Sequence, residues 1–338
     1  MGGGATPGGA QAGGGVERLE IDANGMRFSA RAAGPANGRP VLLLHGFPQS
    51  SLSWLPVMHT LAAAGYRAVA PDQRGYSAGA RPADVAAYRV SQLVSDVLAL
   101  ADTMQMGRFD LVGHDWGGMV AWVTAAQHPG VVRSLSVVST PHPGALAAAL
   151  SAGDPDQTAR SAYVHVFRRP AEPERILLGE GGDGEGLRSM FAATGLDEAQ
   201  AGEYVSLMQA PGAMTAALNW YRAIPFAAAT PPSPVEVPSL FAWGARDRFV
   251  TRAAATSCGA WVRGPYRFVR HPGYLGTLLA WIGFALTSRS LPVVGLVAVV
   301  FGRTYARRIV AEERLLARAL PGYREYATRT WRLIPFAW

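Results

Sequence analysis

The chain has 338 residues, of which 49% are hydrophobic and 16% charged, so it is long enough for one large α/β domain and an additional segment. Its only cysteine, Cys258, excludes an intrachain disulfide framework and a cysteine-cluster metal site. The formal net charge is +7, and every basic residue is an arginine. Residues 1–15 are rich in glycine and lack both the basic start and the apolar centre of a secretory signal, which predicts a disordered tail and a cytoplasmic protein.

Residues 16–140 alternate short apolar runs with helical patterns, which is typical of a doubly wound, mostly parallel sheet. The continuous apolar run at 41–44 is what a buried parallel strand requires, and Asn24-Gly25 predicts a hairpin turn. The predicted strands are 16–21, 26–32, 41–44, 67–70, 109–112 and 135–138, and the predicted helices are 51–64, 90–104 and 119–126.

The segment Gly113-His114-Asp115-Trp116-Gly117-Gly118 lies between a predicted strand and a predicted helix. A strand, a sharp turn flanked by glycines and a helix form the context of a nucleophile elbow, in which the middle residue of the turn points out at the top of the sheet. That residue is Asp115, whose carboxylate can attack a carbon electrophile and form an ester. The alternative is a tight turn with a polar tip and no chemistry.

The pattern changes after the first six strands. Residues 141–232 are predominantly helical, with a glycine-rich break at 179–186, and predict an inserted helical cap. The alternation resumes in 233–263, where a strand beginning near Pro238 ends in a loop that carries Asp247. We therefore predict an α/β core in two parts, 16–140 and 233–263, with the cap between them.

Five motifs carry a resemblance to a known family. The motifs, in chain order, are His45-Gly46-Phe47-Pro48, Asp72-Gln73-Arg74-Gly75-Tyr76, Gly113 to Gly118, Asn219-Trp220-Tyr221-Arg222 and Trp243-Gly244-Ala245-Arg246-Asp247. With these motifs in the family's order, the first ~265 residues resemble an α/β-hydrolase of the epoxide hydrolase group. The resemblance implies the α/β-hydrolase fold with a helical cap, a small apolar epoxide as substrate and no cofactor.

The resemblance implies a role for each matching residue. Asp115 would be the nucleophile, and the backbone N–H groups of Phe47 and Trp116 would form the oxyanion hole. Tyr221 and Tyr163 would hydrogen-bond the epoxide oxygen from the cap. For both tyrosines the alternative is simple packing on a cap helix.

In the α/β-hydrolase fold, the nucleophile is followed along the chain by an acid and then by a histidine base. Asp247 would be the acid that orients a histidine, with a solvated turn aspartate as the alternative. His271 is the only histidine that follows it in the chain. It comes directly after the predicted strand 266–269, several residues earlier than the spacing of the family.

Dehalogenases of the same fold also use an aspartate nucleophile. Haloalkane dehalogenases carry a halide-binding asparagine where Phe47 stands, which weighs against them. Haloacetate dehalogenases carry a His-Trp pair in the cap that is not evident at His165-Val166. They remain the second hypothesis within this fold.

The last part of the chain, 264–338, resembles a different family. The segment 264–276, Glu312-Glu313 and the segment 321–326 are similar to isoprenylcysteine carboxyl methyltransferases and phospholipid methyltransferases. The resemblance implies that S-adenosylmethionine binds to Arg270, His271, Tyr274, Glu312 and Glu313. The earlier membrane helices of that family are absent, so an inactive fusion of a hydrolase with a methyltransferase fragment is a further hypothesis.

Two apolar runs, 274–287 and 291–301, are separated by Ser288-Arg289-Ser290. Each is short for a membrane span, so we predict a tight helical hairpin that inserts into a membrane through 274–302, or alternatively packs on the hydrolase sheet. From Gly259 onward the chain has 12 arginines and 3 glutamates, a net charge of +9, whereas the preceding residues carry −2. This distribution favours a membrane surface as partner and argues against a nucleic acid.

Overall fold

The computed structural model describes residues 15–224, 232–262, 274, 277–279, 281–282, 287, 290–319, 323–328 and 330–332. Several sequence-based predictions fall outside these residues. They are the tail up to residue 14, the strand at 266–269, Arg270, His271 and most of the loop between the two apolar runs.

The core is a seven-stranded, mostly parallel sheet, as predicted. Its strand order is β1-β2-β4-β3-β5-β6-β7. The first two strands form an antiparallel hairpin, β2 runs antiparallel to β4, and all other pairs are parallel. The strands are β1 (Glu17–Ala23), β2 (Met26–Ala33), β3 (Arg39–Leu44), β4 (Tyr66–Pro71), β5 (Phe109–His114), β6 (Val132–Val138) and β7 (Ser239–Ala242).

The strand order determines where a site can form. The chain crosses from β3 to β4 on one side and returns to β5 on the other, so β3 and β5 are neighbours, with Leu44 beside Gly113. Loops that leave the carboxyl ends of two such strands meet at one crevice. The loop that begins at His45 and the turn at Asp115 are therefore placed next to each other.

Helices cover both faces of the sheet. Helix α1 (Leu55–Ala63) packs with a small apolar cluster on one face, whereas α2 (Val90–Thr103) and α3 (Trp116–Gln127) belong to the large core on the other. Helix α3 is buried on almost every side, because its residues are small or apolar all round. The predicted helix at 51–64 begins instead as a short 3-10 turn over Ser51–Trp54, since a proline follows at position 56.

Seven short helices occupy the described part of the cap region between β6 and β7. The glycine-rich break separates α7 from α8, as the sequence predicts, and three glycines there have a positive φ. The helices are α4 (Pro143–Ser151), α5 (Pro155–Arg160), α6 (Tyr163–Phe167), α7 (Glu172–Leu178), α8 (Glu185–Ala192), α9 (Glu198–Gln209) and α10 (Ala213–Arg222).

After β7 the chain forms α11 (Arg252–Ser257) and a 3-10 turn over Cys258–Trp261. Val262 then makes a parallel bridge with Val235, next to the start of β7. Val262, the last residue of the described range 232–262, therefore lies at the edge of the sheet beside the segment that leads into β7.

The C-terminal region contains α12 (Leu291–Ala319) and α13 (Tyr323–Thr328). Tyr274 stacks on Tyr305 at 5.2 Å and Trp281 on Phe301 at 4.8 Å, so the segment before α12 runs antiparallel to it, as in a hairpin. Helix α12 continues far beyond the end of the apolar run at residue 301, because arginines, alanines and glutamates that favour a helix follow it. No helix within the described ranges is long and apolar enough to cross a membrane.

Candidate active site

The turn at Asp115 has the geometry that a nucleophile elbow requires. Asp115 has φ 53° and ψ −123°, which is unusual for a residue with a side chain, and it connects β5 directly to α3. A Cβ on Gly113 would lie 2.4 Å from the carbonyl oxygen of Gly117, and a Cβ on Gly117 would lie 2.2 Å from that of Leu44. Both glycines are therefore required because strand and helix approach so closely.

The carboxylate of Asp115 is held by backbone donors. The N–H of Phe47 donates to its Oδ1 at 2.7 Å, and the N–H of Trp116 also hydrogen-bonds to this carboxylate. A Cβ on Gly46 would lie 2.2 Å from the Cβ of Asp115, so only glycine allows the loop after β3 to come this near. Two backbone N–H groups bonded to one carboxylate are the kind of donors that an oxyanion hole requires.

The loop that carries Phe47 is fixed by His45, which is fully buried. Its Nε2 accepts the N–H of Gln73 at 3.0 Å, so the ring proton is on Nδ1, which faces the carbonyl of Gly46. The side chain of Gln73 donates back to the carbonyl of His45 at 2.6 Å. Burial lowers the pKa of His45, which keeps the ring neutral and this reciprocal contact intact.

Burial is also the main influence on the pKa of Asp115. It raises the pKa of Asp115 above its ordinary value, while the charge of His114 and the two backbone N–H bonds oppose this effect. The negative charge of Asp247 raises the pKa of Asp115 further, so the two carboxylates are close enough to interact electrostatically. The oxygen of the Asp115 backbone accepts the Thr140 hydroxyl at 2.8 Å, a contact that the sequence motifs did not reveal.

Both predicted tyrosines lie close enough to Asp115 to feel its charge. Tyr221, on α10, is 3% exposed, and its ring meets Trp116 edge-on at 5.1 Å. Tyr163 begins α6, and its ring centre is 6.1 Å from that of Tyr221. Burial, and then the charge of Asp115, raise the pKa of each phenol, so both hydroxyls stay protonated and can donate. A hydrogen bond from Tyr221 to Tyr163 partly offsets this shift for Tyr163.

Aromatic rings line the space around the two tyrosines. Phe167 lies 5.0 Å from Tyr221 and 5.3 Å from Phe47, while Phe249 lies 5.3 Å from Tyr163. The sequence motifs did not single out Phe167 and Phe249, which lie in the cap and in the loop after β7. Together these rings form an apolar surface near the half-buried carboxylate of Asp115, which suits an apolar substrate.

Asp247 lies in the loop that follows β7 and is half-buried. Its Oδ1 accepts the N–H groups of Phe249 at 2.8 Å and Val250 at 2.9 Å. Its Oδ2 makes no hydrogen bond to any residue that the structure describes. His271 lies outside those residues, so its role as the base of Asp115 stays a prediction.

The predicted cofactor residues of the C-terminal region are only partly brought together. The hydroxyl of Tyr274 donates to Oε1 of Glu312 at 2.7 Å, and Arg308 is 3.4 Å from the same oxygen. Glu313, one residue on, is buried and accepts from Arg332 at 2.8 Å. The two glutamates therefore face different partners, and Arg270 and His271 lie outside the described residues.

Comparison with known proteins agrees with this geometry. A family model for the alpha/beta hydrolase fold matches residues 39–275. The chain belongs to the α/β-hydrolase family. A second model, for phospholipid methyltransferases, matches residues 235–321 and overlaps the end of the hydrolase match.

Among the relatives of this α/β-hydrolase, the AB hydrolase superfamily protein YfhM of Bacillus subtilis is 34% identical over 249 residues, which cover 71% of this chain and 85% of that protein. Epoxide hydrolase A of Mycobacterium tuberculosis is 31% identical over 296 residues, covering 75% and 89%. An epoxide hydrolase structure from Vigna radiata is similar with a TM-score of 0.61 at 28% identity, covering 73% and 86%. The chain is thus an epoxide hydrolase-like hydrolase.

Proposed function

We propose that this hydrolase opens small apolar epoxides through an ester on Asp115. The observation that carries the proposal is the half-buried carboxylate at the elbow, with one oxygen on a backbone N–H and two protonated tyrosines near it. Haloacetate-type dehalogenation uses the same nucleophile, but a halide leaving group has no need of a proton from two tyrosines.

In the first step, Oδ2 of Asp115 would attack an epoxide carbon, and the bond from that carbon to the ring oxygen would break. Tyr221, with Tyr163, would donate a hydrogen bond and finally a proton to the released oxygen. The product is a hydroxyalkyl ester. The oxygen that Phe47 already holds becomes the carbonyl oxygen of this ester.

In the second step, water would attack the carbonyl carbon of the ester. The carbonyl oxygen becomes negative and is stabilised by the N–H groups of Phe47 and Trp116. His271, oriented by Asp247, would take one proton of the water and return it to the departing oxygen of the diol. The second proton, left on the regenerated Asp115 carboxyl, would return to the tyrosine that gave up its proton in the first step. This step depends on the one member of the relay that lies outside the described residues.

The experiment is a single turnover with excess enzyme and a styrene-type epoxide in ¹⁸O-labelled water. Because water attacks the carbonyl carbon, the label should enter Asp115 and not the diol formed first, and mass spectrometry of the peptide that carries Asp115 detects it. An adduct on Asp115 without diol would mean that only the first step works. Neither adduct nor diol with several epoxides would refute the proposal.

A second candidate function is favoured by the match of 235–321 to phospholipid methyltransferases. S-adenosylmethionine would be held by Arg270, His271, Tyr274, Glu312 and Glu313, and would supply a methyl group. The hydrogen bond between Tyr274 and Glu312 would orient a carboxylate toward amine or hydroxyl donors. Titration calorimetry of the full chain in detergent tests this function, and no heat at millimolar cofactor would contradict it.

Membrane association is proposed for the same region. The first turns of α12 expose Leu291, Leu296, Val299 and Val300, and arginines follow at 303, 307 and 308. Apolar side chains beside cationic ones fit the interface of an anionic bilayer. Flotation with vesicles that contain phosphatidylglycerol should retain the chain and lose the Leu296→Asp variant, with Leu150→Asp in the cap as control. Binding that is equal for both variants would contradict the proposal.

A further inference from the structure

Side chains of the cap helix α5 hydrogen-bond to the backbone of the loop that carries Asp247. The side chain of Gln157 is 0% exposed and lies against this loop. Its Nε2 donates to the carbonyl of Phe249 at 2.9 Å, and its Oε1 accepts the N–H of Thr251 at 2.9 Å. A single buried amide therefore satisfies a backbone acceptor and a backbone donor that lie two residues apart in the loop.

A second side chain of the same helix reaches the same loop. Arg160 donates from Nη1 to the backbone carbonyl of Asp247, and its Nε is paired with Asp156 at 3.0 Å. Helix α5 thus contacts the loop at residues 247, 249 and 251. The helix is capped at its start, because the side chain of Asp154 accepts the N–H groups of Asp156 and Gln157.

These contacts lie next to the turn at residues 247–250, whose backbone N–H groups bind the carboxylate of Asp247. Within the loop, Oδ1 of Asp247 accepts from the N–H groups of Phe249 and Val250, which fixes the rotation of the carboxylate. Gln157 binds the carbonyl of Phe249 and the N–H of Thr251, on either side of Val250. Any shift of Gln157 would therefore move the backbone groups to which the Asp247 carboxylate is bonded.

We propose that Gln157, supported by Arg160, is a positioning residue through which the cap holds the Asp247 loop in its catalytic place. This inference rests on the proposed function for its effect on catalysis, since Asp247 would act in hydrolysis of the ester and not in its formation. A change at Gln157 should thus separate the two steps. A residue that matters only for folding would slow both or neither.

The test uses Gln157→Met, which keeps the length and packing of the side chain but removes both hydrogen bonds to the loop, together with one to the Ser161 hydroxyl within the cap. The matched control is Gln209→Met, because Gln209 is also in the cap and donates to a backbone carbonyl, that of Gly182, at 2.7 Å. Arg160→Met is the milder variant if the first does not fold. Hydrogen–deuterium exchange of the peptide that covers 247–251 reports the position of the loop without any need for catalysis.

We expect faster exchange in this peptide for Gln157→Met and Arg160→Met, and wild-type exchange for Gln209→Met. In single turnovers, ester formation on Asp115 should stay within about twofold of wild type, while ester hydrolysis should fall roughly tenfold to a hundredfold, the effect of a misplacement of about 1 Å. Unchanged exchange at 247–251 in both α5 variants would overturn the proposal. So would equal losses in the two chemical steps.

Failure of the proposed role of Gln157 can be distinguished from failure of the proposed epoxide hydrolysis. If the wild-type chain forms the ester but never hydrolyses it, the second step of the mechanism fails. The exchange experiment still decides whether helix α5 holds the loop. If the wild-type chain hydrolyses the ester and Gln157→Met does so equally well despite faster exchange, the loop contact exists but does not position the acid, and the proposal is refuted.

Discussion

Removal of the Tyr221 hydroxyl should slow ester formation far more than removal of the Tyr163 hydroxyl. Tyr221 is almost fully buried between Trp116 and Phe167, so no water can replace its donor. Loss of one such donor in a dry site costs about a hundredfold to a thousandfold in rate. Tyr163 is only partly buried, and a water could replace its hydroxyl, so we expect about tenfold for Tyr163→Phe.

The assay is rapid quench with mass detection of the Asp115 adduct, which isolates the first step from hydrolysis. Tyr204→Phe is the control, because Tyr204 is also a buried cap tyrosine but stacks on Phe191 in the neighbouring helix. It should leave ester formation within about twofold of wild type. Ester formation in Tyr221→Phe within threefold of wild type would show that this hydroxyl is not the main donor. A larger loss for Tyr163→Phe than for Tyr221→Phe would reverse our assignment.

Three further outcomes follow from the structure. Asp96→Asn breaks a buried ion pair to an arginine and should lower the free energy of unfolding in urea by about 3–5 kcal/mol, whereas Asp22→Asn, at an exposed pair, should leave it unchanged. Equal effects would contradict the burial argument. The rate of ester formation should rise with pH as Asp115 ionises, with a midpoint above its ordinary value of 3.8, because burial raises the pKa; a midpoint at or below that value would refute this. Gly117→Ala would place a Cβ 2.2 Å from a carbonyl oxygen of β3 and should cost about 1–3 kcal/mol or more, whereas Gly130→Ala meets no atom within 4 Å and should be tolerated. A wild-type thermal midpoint in Gly117→Ala would exclude the close approach.

The parts of the fold that could be predicted from sequence depend on local patterns. The hairpin at Asn24-Gly25 forms as predicted, because a positive φ at both turn residues suits that pair. Strand β6 begins three residues earlier than predicted, at Val132, because polar side chains near its start interrupt the apolar pattern. Helix α12 extends from the apolar run at 291–301 through Glu312-Glu313, because apolar character and helix propensity are separate properties.

The parts of the candidate site that escaped prediction are contacts between distant segments. Gln157 and Thr251 are 94 residues apart, and nothing in either local pattern indicates that they meet. No local pattern around Phe167 and Phe249 indicates a role in the site. In the fold, however, Phe167 packs against Tyr221 and Phe249 against Tyr163. Only residues within short motifs, such as Phe47 and Trp116, could be assigned in advance, because a motif fixes both residue type and backbone geometry.

The two steps of the proposed mechanism rely on different parts of the chain. Every group required for ester formation, from Phe47 to Tyr221, lies before residue 235, where only the hydrolase family matches. Asp247 and His271, which hydrolysis of the ester requires, lie in the stretch from 235 to 275 where the hydrolase and methyltransferase matches overlap. A sequence that satisfies two families at once is under constraints that neither imposes alone, so the second step is where this chain should depart from its relatives. The first step should therefore resemble theirs in rate, and any loss of turnover should appear as accumulated ester on Asp115.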